Sequence, residues 1–93
     1  MKFVLNATWG GFKLPMEFCD KYDFMPYHSI SRMDKRLIDF VESYNGRYEY
    51  DRNGLYECLR VAEIPDGITD YIIKDYDGVE TILYVLDGKI YQD

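Results

Sequence analysis

The stretch DYDGVE, residues 75–80, crowds three carboxylates, Asp75, Asp77 and Glu80, around one Asp-Gly pair. Such a group could hold a cation, move a proton, or present negative charge to a basic partner. Calcium binding of the EF-hand kind is excluded by spacing: the first Asp of the loop would fall on Ile73 and the closing Glu on Tyr84. An Asp-Gly pair between apolar runs is instead the strongest short hairpin signal. A two-residue turn there sets Tyr76 against Val79, Asp75 against Glu80, Lys74 against Thr81 and Ile73 against Ile82. Like charges directly opposed weaken a strand pair. The functional expectation is therefore an acidic tip for a basic groove; the bland alternative is a solvated tip whose repulsion salt screens.

Other reactive side chains are sparse. His28 is the only histidine, beside Ser29 and Ser31. No orienting acid or oxyanion site accompanies it, so a nucleophilic triad has no support. One histidine with Cys19 and Cys58 cannot supply four well-spaced zinc ligands. The cysteines lie outside any C-x-x-C pattern and are expected as reduced, separate thiols. Gly10-Gly11, in NATWGGF, follows an apolar run as a phosphate loop would. It lacks both the G-x-G-x-x-G spacing and a following Lys-Ser/Thr, and reads as a turn that folds Trp9 and Phe12 back onto the core. No enzyme, cofactor or metal is expected.

Charge is placed unevenly along the 93 residues, whose net is -6. Residues 1–56 balance eight acids with eight bases, whereas residues 57–93 hold nine acids and three bases. Asp66, Asp70, Asp75, Asp77, Glu80 and Asp87, with Tyr76, are the candidate partner-binding residues. Direct nucleic-acid binding is disfavoured, because phosphates would be repelled. A basic protein would be attracted and steered in. Ten tyrosines suit both strands and contact surfaces. The apolar run after Lys2 is too short for a signal-peptide core and no stretch reaches membrane-spanning length, so a cytoplasmic protein is expected.

The elements that must position these groups form one domain, residues 1–93. KFVLNAT, residues 2–8, reads as a strand. LPMEFCDKY, 14–22, reads as a short helix with Pro15 in its first turn, Glu17 early and Lys21 late, as the helix dipole favours. Leu37, Phe40, Val41 and Tyr44 make one apolar stripe of a second helix, with Ser31 as N-cap, Asp34 in the first turn and Asn45-Gly46 as the stop. RYEYDRNG, 47–54, is turn-rich and reads as a loop or a short hairpin arm. From Leu55 the period changes to two: LYECLRVAEI, then ITDYIIKDY and VETILYVL, with a final KIYQD after Asp87-Gly88. The fold class is α+β, an antiparallel sheet of about four strands in the order β-α-α-β-β-β, with an extra C-terminal strand allowed and two helices on one face.

Three segments carry a resemblance. NATWGGFKL resembles the N-x-C-[YF]-G-G-F-x-L opening of a family of small, uncharacterised phage and prophage proteins. RMDKRLIDFVE resembles that family's R-x-D-P-x-L and V-E stretch, and EIPDGITDYIIKDYDGVE its E-I-P-D and E-Y-D-G-x-E segment. Thr8 replaces the family cysteine, so no thiol chemistry carries over, and Lys35 stands where proline is usual. The resemblance implies a phage setting and a compact α+β fold. With the charge, it sets the functional expectation. That expectation is a small acidic inhibitor, of anti-CRISPR type, that would present its acidic surface to the basic groove of a host nucleic-acid-binding protein such as a CRISPR effector. The alternative is a small-ligand-binding or regulatory protein, and a homodimer is compatible with either.

Overall fold

A computed structural model describes residues 1–7, 12, 14–25, 29–43, 49–50, 56–57 and 59–93. Trp9, Gly10-Gly11, His28, Tyr44, Asn45-Gly46 and Cys58 lie outside the described residues, as does most of 46–56. The class is α+β. The elements are β1 (Lys2–Asn6), α1 (Met16–Tyr22), α2 (Lys35–Ser43), β2 (Glu49–Tyr50), β3 (Tyr56–Glu57), β4 (Leu59–Glu63), β5 (Asp70–Tyr76), β6 (Val79–Leu86) and β7 (Lys89–Gln92).

Among the described residues the strands divide into three antiparallel sheets, not one. β1 pairs with β4, β2 with β3, and β5, β6 and β7 form a meander. The reason lies in β1. Its apolar residues Phe3, Val4 and Leu5 are consecutive and all fully buried. A strand with cores on both sides reads as a continuous apolar run rather than an alternation. Phe3 and Leu5 enter one cluster with Ala62, Ile64 and Ile82, against the meander. Val4 enters the other, with Leu14, Phe18, Leu37, Val41 and Leu59, against the helices. The molecule is thus layered: helices, the β1–β4 pair, and the β5–β6–β7 sheet.

Local chemistry explains the helices. Pro15 occupies the N-cap position of α1, with φ -60 and ψ 144, just before the first helical residue, and Asp23 ends the helix in the left-handed region at φ 58. Glu17 and Lys21 complement the dipole as expected. On α2, Leu37, Ile38 and Val41 are buried and Phe40 packs half-buried beside them. The N-cap is Asp34 rather than Ser31: the Arg36 N–H donates to Asp34 Oδ1 at 2.9 Å. Ser31 caps the preceding turn instead, accepting the Met33 N–H at 3.1 Å. The hairpin arm expected within 47–54 has backbone pairing of Glu49–Tyr50 with Tyr56–Glu57.

Both Asp-Gly pairs form the expected turns. Asp77 and Gly78 have φ 52 and 88, and Asp87 and Gly88 have φ 51 and 76. Two consecutive positive φ angles are the type I′ geometry whose twist matches the flanking strands. The register follows: Tyr76 opposes Val79, Asp75 opposes Glu80, Lys74 opposes Thr81 and Ile73 opposes Ile82. The final strand is real, with Leu86 opposite Lys89 and Tyr84 opposite Tyr91.

Candidate functional site

The three carboxylates of DYDGVE have three different fates. Glu80 is only 5% exposed and belongs to the fold, not to an acidic tip. Its Oε1 accepts the Asn6 N–H at 2.7 Å and Arg32 Nη1 at 2.6 Å, while Oε2 accepts Arg32 Nη2 at 2.9 Å. Arg32 is spread further. It also donates to the Val4 carbonyl at 3.1 Å, and its guanidinium lies 3.6 Å from the centre of the Phe12 ring. The Val4 N–H donates to the Arg32 carbonyl at 2.7 Å, and Asn6 Nδ2 donates to the Gly78 carbonyl at 2.6 Å. The free edge of β1 is thereby closed by the Arg32 carbonyl and guanidinium and by the Glu80 carboxylate, and the Asn6 side chain helps tie the hairpin to the middle layer.

Asp75 is exposed and opposes Glu80, as the register requires. The repulsion this implies is removed by Arg32, which neutralises Glu80 where salt need not. One oxygen of Asp75 accepts the Gly78 N–H at 2.7 Å and so caps the turn. Asp77 is exposed in the left-handed position of that turn, and Asp87 in the equivalent position of the next. Asp70 is exposed and its Oδ1 accepts the Tyr71 N–H at 2.8 Å. Asp66 lies 3.2 Å from the Met1 amine on an exposed turn. The strand register therefore puts Asp70 and Asp87 at one end of the sheet and Asp75 and Asp77 at the other.

Between those ends lies what charge counting missed. Alternation along the meander sends Tyr71, Ile73, Ile82 and Tyr84 inward and leaves Ile72, Tyr76, Val79, Leu83, Val85 and Ile90 on the outer face, where the Lys74–Thr81 pair parts Tyr76 and Val79 from the other four. Ile72 is 58% exposed, Tyr76 78% and Ile90 74%. Asp70, Ile72, Leu83, Val85 and Ile90, with Tyr71 and Tyr84, line a shallow apolar concavity of about 190 Å³ across the three strands. Single exposed apolar residues are ordinary, but a contiguous patch framed by charge marks an interaction surface. A signal was present in the sequence: ILYVL in β6 is apolar at every position, so both faces of that strand had to be apolar. Reading the charges first obscured it.

No protein-family model, curated protein or solved structure matches this chain. The site must therefore be read from its own chemistry. Among the described residues, no group of three or more His, Cys, Asp or Glu comes together to hold a metal ion. No helix there is long and apolar enough to cross a membrane. The Cys19 side chain is buried in the helix-side core, its Sγ 3.9 Å from the Leu14 carbonyl oxygen. The Asp34 carboxyl is held below its ordinary 3.8, first by its hydrogen bond from the Arg36 side chain. The same contact raises Arg36, and Asp39 raises Lys35. These three stabilise α2 and lie outside the outer face.

Proposed function

We propose that the chain is a non-enzymatic binding protein that docks the outer face of its β5–β6–β7 sheet onto a basic protein surface. The observation that carries this is the exposure of Ile72, Tyr76, Val79 and Ile90 on one face, whereas residues 3–6 of β1 are all buried. The face offers an apolar centre for affinity. Its frame of Asp70, Asp77 and Asp87 selects a partner with a basic rim and speeds encounter. Asp75 lies on the inward side with Ile73, Asp66 is paired with the Met1 amine and Glu80 with Arg32, so these three are not part of the frame.

A basic groove with apolar floor residues, as in proteins that hold single-stranded nucleic acid by stacking and charge, has the matching chemistry. The resemblance to phage proteins supports an inhibitor of a host protein of that kind, of anti-CRISPR type. The test is comparative capture from bacterial host lysate, with wild-type bait against an Ile72→Asp/Ile90→Asp bait and an Asp77→Asn/Asp87→Asn bait. Asn tolerates the left-handed turn positions, so the second bait changes charge and keeps the fold. The expected result is a partner held by wild type, lost with the aspartate face, and weakened with rising salt. A partner retained equally by all three baits in high salt overturns the reading.

A further inference from the structure

We infer that two copies of the chain pair through the free edge of β5, in antiparallel register centred on Ile72, to make one continuous six-stranded sheet. The argument begins with which backbone groups face outward. A two-residue loop makes Tyr76 and Val79 a hydrogen-bonded pair, so the groups of residues 70, 72, 74 and 76 turn toward β6. The Asp93 N–H donating to the Ile82 carbonyl at 3.0 Å confirms the parity from the other side, since even residues of β6 serve β7. Tyr71, Ile73 and Asp75 therefore aim their N–H and C=O groups at solvent. Six of the seven residues of β5 are exposed, so no layer of the described fold covers that edge.

An unpaired edge is a template for another strand, and here geometry selects the strand. Outward groups must meet outward groups, so a two-fold pairing of β5 with itself can be centred only on single residues. Centring on Lys74 opposes two lysines; centring on Asp70 or Asp75 opposes two aspartates. Centring on Tyr71 or Ile73 leaves Lys74 without an acid. Centring on Ile72 sets Asp70 opposite Lys74 of the partner subunit, and Lys74 opposite the partner's Asp70. Both are non-hydrogen-bonded positions, where side chains approach most closely. Lys74 is the only base in β5 or β6 and makes no ion pair among the described residues. Tyr71 exchanges both backbone bonds with the partner's Ile73. In the single chain the Asp70 carboxylate holds the Tyr71 N–H; pairing hands that donor to the partner's Ile73 carbonyl and frees the carboxylate for the partner's Lys74.

The other free edge is less suited. β7 has four residues against seven in β5. Its own candidate charge pair, Lys89 with Asp93, has Asp93 already bound by Arg60 at 2.6 Å. A two-fold axis through Ile72 keeps the outer faces on one side, so the apolar patches of two copies become one. This inference stands apart from the docking reading above, and either can fail alone.

The test is light scattering during size-exclusion chromatography, over a wide concentration range, on wild type, Asp70→Lys, Lys74→Glu and the Asp70→Lys/Lys74→Glu exchange. Both positions are exposed, and circular dichroism reports whether each variant folds. Wild type is expected to dimerise. Each single variant opposes two pairs of like charges and should weaken the dimer by about tenfold or more, while the exchange restores it. Slower amide exchange at Ile73 in concentrated than in dilute wild type is the second expected result. A monomer at all concentrations overturns the inference. So does a dimer that ignores the single variants, or an exchange variant no better than they are.

Discussion

At the scale of single residues, the Glu80–Arg32 pair decides most. A buried ion pair need not add stability over an apolar pair, but removing one partner strands the other. Glu80→Gln leaves the Arg32 guanidinium without its bidentate acceptor and weakens the bond to the Asn6 N–H. Urea unfolding is expected to show a loss of about 3 kcal/mol. Reversing Glu80 to probe partner binding would report unfolding, so Asp70, Asp77 and Asp87 are the useful probes. Asp34 gives a pH signature. Its folded-state pKa is depressed, so its contribution is fully present above the ordinary 3.8 and is lost as pH falls through the folded value. Asp34→Ala should cost about 1 kcal/mol near neutrality, as loss of an N-cap does. Wild type and variant should converge in stability below pH 3.8, measured by thermal unfolding across an acid series.

At the scale of elements, the turns are the most tightly specified parts. Gly88 sits at φ 76, and a Cβ built there would meet nothing within 4 Å. Gly88→Ala therefore isolates backbone strain, with an expected cost of about 1 kcal/mol in chemical denaturation. Asp87→Asn should be neutral by the same measurement, because asparagine favours this position as well. These turns were legible in the sequence because Asp-Gly fixes backbone angles locally, and the β5–β6 register followed from them. The helices were legible from periodicity and charge order. The division into separate sheets was not. It depends on Phe3, Val4 and Leu5 being sealed on both sides, and three apolar residues in a row are equally consistent with a strand in a single sheet. Nor was the fate of Glu80 legible, since nothing near residue 80 names Arg32, 48 residues away in sequence. Nor does the sequence choose Asp34 over Ser31 as the cap of α2, since both are good caps and only the geometry of the turn at 32–33 separates them.

At the scale of the whole molecule, net charge and exposed apolar surface oppose each other. The charge of -6 makes copies repel one another at long range, and salt shortens the reach of that repulsion. Placing Asp at Ile90, which lies in no core and off the β5 edge, should leave the melting temperature within a few degrees of wild type. It should also lower precipitation at high salt, measured as residual soluble protein. The layering has a further consequence, for the order in which the chain can fold. β1 precedes every strand it meets: Phe3 and Leu5 are covered by Ala62 and Ile64 and then by Ile82, and the Asn6 N–H bonds a carboxylate 74 residues downstream. Long loops must close before such contacts give any return, which slows folding. A chain that still lacks β6 can pair β1 with β4 but leaves the meander side of that strand partly uncovered, so the contacts that seal it are long-range ones.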